Sequence, residues 1–459
     1  MTHATSGVRR SACAALFFLA AAATATTQSF PLTSPDGNLR ATVVQGEDGG
    51  LSYRVDYKGT PVILPSRLGL ALSDGTDLSR GFEPMRPDCI IQDATNLVWH
   101  PPFGERKVVT NHFRQVMFWL EKTDRKSHLL LTLRAYDAGV AFQYSVGMKL
   151  PHHRPSVIDE LTEFTFTGDH RAWPVYTAQG EYKPETLSAV KKGAERPLTV
   201  ETAEGPVAAI GEAALVDFAR MKFAPVPGKP YTLKAELDSP VSLEKSGVSP
   251  WRYVRVADNA CRLLENNDFI LNLNEPSRIA DTSWIKPGKV IRETSLTTKG
   301  GMACVDFAKT MNLQYIEFDA GWYGHEYDDA SDARTVTLDP KRSKGPLDLP
   351  EVIRYAKTNG VGVIVYVNRR ELERRLDDLL PLYTSWGIVG MKYGFVNVGS
   401  QKWTTWLSDA IRKAGEARMM IDIHDEYRLT GNQRTWPNVM TVEGIRGNEE
   451  MPAAPHNCA

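Results

Sequence analysis

The sequence predicts two architectures in series: an antiparallel β-sandwich, then an α/β unit of the (β/α)8-barrel type that the chain leaves incomplete at its C-terminus. Three observations carry this. From about residue 30 to 275, short apolar-alternating runs recur between Gly, Pro and Asp breaks. After "LNLNEPSRIADTSWIKPGK" the rhythm changes to apolar strands separated by helical stretches. Each of those later strands turns polar where it ends, which is how a barrel rim collects its working residues.

Taken in order, "LRATVV", "LSYRVDYKG", "TPVILP", "HLLLTLRAYDAGVAFQYSV" and "KPYTLKAEL" are strands by alternation and by their β-branched and aromatic content. The first strand of the second unit is expected around "TSWIKPGKVIRE". The others are "LQYIEFDAGWYG", "GVGVIVYVN", "IVGMKYGFV", "RMMIDIHDEY" and "NVMTVEGIRG". Continuous apolar runs of this kind suit parallel strands covered on both faces. "LDLPEVIRYAKTNG", "LERRLDDLL" and "KWTTWLSDAIRKAGEA" place their apolar residues at helical spacing, and the first ends on a glycine. About six strands are present against the eight that closure needs, so the barrel is expected to be unfinished when the sequence stops. No glycine-rich phosphate loop follows a strand, which argues against a nucleotide site.

The 459 residues exceed one ordinary domain. Lys and Arg total 54 against 55 Asp and Glu, which gives no reason to expect nucleic acid or an anionic membrane as partner. The first 25 residues read as a signal peptide: Arg9 and Arg10, an apolar core from Ala12, then Ala23-Thr24-Ala25 as a cleavage site. A secreted or periplasmic product is expected. Residues 26–275 would form the sandwich and 276–459 the barrel. Cys89, Cys261, Cys304 and Cys458 match no zinc spacing.

The polar strand ends point to glycoside cleavage. That chemistry typically takes one protonated carboxyl as donor and one ionised carboxylate as base or nucleophile. Residues 418–450 supply Asp422, Asp425, Glu426, Glu443, Glu449 and Glu450. So many acids on one rim repel unless one keeps its proton or a cation shares the site. Ca2+, which takes carboxylate oxygens, would serve.

"IDIHDEYRLTGNQRTWPNVMTVEGIRGNEE" with "PHN" resembles glycoside hydrolase family 97, whose members act on α-glucosides or α-galactosides. "YTAQGEYKPE", "SWIKPGK" and "MKYGFVNVGSQ" resemble it too. The resemblance spans essentially all of the chain after the leader. It implies an N-terminal β-super-sandwich, a (β/α)8 barrel and a further C-terminal β-domain, so this chain is expected to be a truncated member. It implies Glu449 as general acid, Glu443 as a calcium ligand, and Glu181 as a second ligand reaching over from the sandwich, with Asp425 completing the metal set. Asp425 stands at the place of the inverting base, and Glu426 beside it is the alternative, because alternation puts Asp422, His424 and Glu426 on one face. Retaining members carry an aspartate where Gly394 stands here. Asn368 and Arg369 stand where inverting members have a second base glutamate. His424, Asp319 and Trp322 are candidate sugar contacts. The reading is a secreted, calcium-dependent, inverting α-glucosidase acting on an oligosaccharide. The alternatives are an α-galactosidase of the same family or a carbohydrate-binding protein without catalysis.

Overall fold

The computed structural model describes residues 27–148, 155–203, 205–424 and 426–444. The leader, Asp425 and Glu449 lie outside the described residues.

The first half is two large antiparallel sheets. One has seven strands, in the order Gln28–Thr33, Leu39–Gln45, Leu51–Tyr57, Thr60–Arg67, Glu163–Phe166, Thr232–Leu237 and Met221–Pro225. The other has nine, running from Glu185–Thr186 at one edge to Ile90–Trp99 at the other, with Trp251–Ala257, Gly139–Met148 and Ser127–Tyr136 near its centre. Alternation does what the sequence requires: Leu129, Leu131 and Leu133 are buried while His128, Leu130 and Thr132 between them are half-buried. The sheets meet through their aromatic faces. Tyr53 lies 4.9 Å from Phe142 between ring centroids, and Phe30 lies 5.5 Å from Phe118. Each such side chain contributes roughly 1.5–3 kcal/mol by leaving water.

The second half is one six-stranded parallel sheet. Its strands are Val290–Glu293, Tyr315–Phe318, Gly362–Asn368, Gly390–Gly394, Met420–Ile423 and Val439–Val442, and their spatial order is their sequence order. A doubly wound sheet would reverse direction partway; this one never does. Helices Thr298–Thr310, Leu349–Thr358, Arg369–Trp386 and Gln401–Glu416 fill the first four connections. Local chemistry sets their ends. Asp348 accepts a hydrogen bond from the Glu351 amide at 2.8 Å, and Gly387 closes the third helix at φ 91°. The first and sixth strands form the two edges, and no pairing joins them among the described residues. The expected barrel is therefore present as a curled half-barrel sheet and not as a closed ring of eight strands.

The two halves are bonded together. The Gln401 side chain accepts from the Ser242 amide at 2.8 Å and donates to the Ser242 carbonyl at 3.0 Å. The Ala214 amide donates to the Thr430 carbonyl at 2.9 Å. No described helix is long and apolar enough to cross a membrane. Among the described residues Cys89, Cys261 and Cys304 are free thiols.

Candidate active site

Period-two alternation carries Glu317, Tyr366 and Asn368, Lys392 and Gly394, and Asp422 to the face of the parallel sheet away from its helices, and Asp319 and His424 follow directly at the ends of their strands. The opposite positions, such as Ile316, Phe318, Val363, Val365, Met391, Tyr393 and Ile421, pack into the helix-side core. The result is a charged floor with a rim above it.

Lys392 is the hub of that floor. Its ammonium lies 3.1 Å from Glu443, and Glu317, Asp319 and Glu443 all attract it. Burial alone would pull its pKa down; these attractions outweigh burial and leave it raised. Burial also pushes the Glu317 carboxyl up to about 7 and the Asp422 carboxyl up to about 6, despite the pull of Lys392. Glu317 Oε1 and Asp422 Oδ1 are buried without a hydrogen-bond partner among the described residues. Beneath the rim thus sit two carboxyls that take up protons well above the usual carboxylate range, Glu317 around neutrality and Asp422 somewhat below it.

This arrangement gives stability a pH signature. A carboxyl whose folded pKa exceeds its unfolded value stabilises below the unfolded pKa, and that contribution is lost as pH rises through the folded pKa. For Glu317 the window runs from about 4.5 to about 7, worth roughly 3 kcal/mol. Unfolding titrations of the wild type between pH 5 and 8 should therefore show falling stability. Glu317→Gln should flatten the fall; parallel curves for the two proteins would refute the assignment.

On the rim, His424 Nε2 is 3.3 Å from Glu443 Oε2, and its ring packs 4.3 Å from that of Phe395. Asp319 pairs with Arg292 at 3.0 Å and accepts from the Ala320 amide at 2.7 Å. His424, Glu443 and Asp319 are thus gathered at one end of the sheet. Trp322 is not available there. It is completely buried, its indole N–H donates to the Tyr366 carbonyl at 2.8 Å, and it packs against Tyr323 and Tyr383. Its expected role as a sugar contact is corrected to one in the core. Glu426 also departs from expectation. The strand ends at Ile423, so alternation no longer governs residue 426. Its carboxylate instead faces Arg220 at 3.9 Å, on the sandwich side.

Glu181 pairs with Lys183 at 2.9 Å, and its neighbour Tyr182 accepts a hydrogen bond from Arg428 at 3.0 Å. The sandwich loop therefore does reach the strand-end loop. The calcium set is another matter. Glu181 and Glu443 each pair with a lysine, and Asp425 lies outside the described residues. Among the described residues no group of three or more His, Cys, Asp or Glu side chains could hold a metal. The described side chains do not by themselves form the oxygen-rich shell that Ca2+ needs.

Arg220 and Arg428 belong to a larger charge chain that the sequence did not reveal. Arg252, Glu160 and Glu212 have fully buried side chains. Arg252 meets Glu160 at 2.6 and 2.8 Å and Glu212 at 2.6 Å. Arg196 links Glu212 at 2.6 Å to Glu195 at 2.7 Å. Lys222 meets Glu195 at 3.0 Å, and Arg428 reaches it at 3.9 Å. The chain thus runs from the sandwich core to the loop bearing Glu426 and Arg428.

Two family models match the sequence: "Glycosyl-hydrolase 97 N-terminal" over residues 32–276, and "Glycoside hydrolase 97" over residues 283–445. A retaining alpha-galactosidase of Bacteroides thetaiotaomicron is 25% identical over 92% of this chain and 68% of its own length. A probable retaining alpha-galactosidase of Streptomyces bingchenggensis is 28% identical over 88% of this chain, which spans only 62% of that relative. A solved glycoside hydrolase family 97 enzyme from Pseudoalteromonas sp. strain K8, in complex with panose, superposes with a TM-score of 0.81 at 25% identity. That superposition covers 93% of this chain and 71% of the other, and the same enzyme is known in complex with acarbose.

Proposed function

Because the chain belongs to glycoside hydrolase family 97, we propose that it hydrolyses terminal α-glycosidic bonds of oligosaccharides with inversion at the anomeric carbon. In this reading Glu449 donates its proton to the leaving oxygen. Asp425 takes the proton from water on the opposite face of the sugar. The two carboxyls would stand roughly 6.5–9.5 Å apart, leaving room for that water. Lys392 holds Glu443 against His424 and offsets negative charge at the rim.

The observation that carries inversion is at Gly394. A retaining enzyme needs a carboxylate that attacks carbon, and the family resemblance puts it at the end of the fourth parallel strand, where Gly394 stands. Gly394 has no side chain, and a Cβ built there would overlap the phenol ring of Tyr366. Tyr366 is buried and donates its hydroxyl proton to Glu326. The fourth strand therefore supplies neither a nucleophile nor the space for one.

For the sugar, an α-glucoside is proposed first, supported by the similar enzyme bound to panose and acarbose. An α-galactoside is the second reading, favoured by the names of the two curated relatives. Export and calcium dependence rest on sequence resemblance and on the leader; no catalytic step above passes through a metal.

One experiment tests all of this. Nitrophenyl α-glucoside and α-galactoside are each incubated with the protein, with and without chelator, and the first-formed anomer is followed by proton NMR. The β-anomer is expected. An α-anomer would overturn inversion, and no turnover of either sugar would overturn the activity. Loss of turnover with chelator, restored by Ca2+, would support a calcium site; indifference to chelator would remove it.

A further inference from the structure

We propose that Tyr327 and Phe395 form an acceptor-side subsite, an aromatic platform for the second pyranose ring of an oligosaccharide. It rests on the glycosidase reading above and adds which part of the substrate is recognised, and by what.

The two residues come from different loops at the polar end of the parallel sheet. Tyr327 follows the second strand and Phe395 the fourth. Their ring centroids are 6.1 Å apart at 47°. Phe395 continues the run inward to His424 at 4.3 Å, and His424 touches Glu443. The rings therefore lead outward from the carboxylates. Both are open to solvent: Tyr327 is 47% exposed and Phe395 37%.

A single exposed aromatic needs no explanation. These two are held in place. Phe395 has φ 49°, in the left-handed region that a bulky side chain rarely adopts, and so keeps its ring against His424 at a cost in backbone strain. The Arg370 guanidinium sits 5.6 Å from the Tyr327 ring centroid and donates to the Tyr327 carbonyl at 2.9 Å. Strained and braced aromatic surface beside the charged end of the sheet is what a ligand with an apolar face and a polar edge recognises. A pyranose ring has that shape: its C–H face lies on the aromatic ring while its hydroxyls meet groups such as Arg370.

The test compares substrates with and without an acceptor ring. For wild type, Tyr327→Ala and Phe395→Leu, kcat/KM is measured on panose and raffinose and divided by that on the matching α-glycosyl fluoride, whose leaving group carries no sugar. Each substitution should lower the ratio by roughly tenfold, about what one stacked ring contributes. Tyr327→Phe should restore it to within about twofold, because the platform needs the ring and not the hydroxyl. An unchanged ratio, or no rescue by phenylalanine, would overturn the subsite. If wild type cleaves none of the four substrates, the activity reading fails instead. The subsite is then judged by calorimetric titration of panose and raffinose into wild type and Tyr327→Ala. Weaker binding by the variant supports it; equal binding, or binding by neither, overturns it.

Discussion

Arg252→Met should cost about 3–5 kcal/mol of stability, the range found when one partner of a buried ion pair is removed. The Arg252 side chain has no solvent exposure, and neither have those of Glu160 and Glu212. Burial alone would pull the guanidinium pKa down; the two carboxylates outweigh burial and leave it raised. Methionine fills similar space but leaves both carboxylates buried, with three guanidinium hydrogen bonds gone. Arg252→Lys should recover only part of the loss, because an ammonium cannot make the bidentate pair with Glu160. Replacing Arg252 and Glu160 together with apolar residues should cost less than Arg252→Met alone, since Glu212 then keeps Arg196 and no charge is stranded. Urea unfolding midpoints for the three variants decide it. A loss under about 1 kcal/mol for Arg252→Met, the size of an exposed pair, would refute the account.

The second large effect is expected at Lys392. Its ammonium faces Glu317, Asp319, Asp422 and Glu443 across the floor of the parallel sheet. Lys392→Met should destabilise by roughly 3 kcal/mol at pH 8, where these acids lose their shared counter-charge. At pH 5 the loss should shrink, because Glu317 and Asp422, with pKa values near 7 and 6, are then largely protonated and ask less of the lysine. Guanidinium unfolding at the two pH values provides the measurement. Equal losses at both would mean that Lys392 acts through something other than those two carboxyls.

Much of this was legible in the sequence, and the failures have physical causes. The six parallel strands were visible because each is an apolar run bounded by turns. The helix Thr298–Thr310 was not, because Gly300 and Gly301 blur its periodicity. A Cβ on Gly301 would press against Phe318 and Val352, so close helix–sheet packing requires the residue that hid the helix. Trp322 was misplaced because a strand-end position does not say whether a ring turns to the rim or to the core. Glu426 was misplaced because alternation was carried past Ile423, where the strand stops. Glu317 and Lys392 carried a signal, a charge at every second residue of an otherwise apolar strand. The charge chain carried none: Arg252 finds Glu160 92 residues away and Glu212 40 away.

Tyr366 also constrains how this molecule can change over generations. Because its phenol fills the space beside Gly394, a lone Gly394→Asp exchange would arrive with nowhere to put its carboxylate. If the chain inverts as proposed, a lineage gaining a nucleophile at this position would first have to shrink residue 366, forfeiting the bond to Glu326, before any gain appeared. Two ordered steps with a worse intermediate form a ratchet that selection on single substitutions does not readily cross.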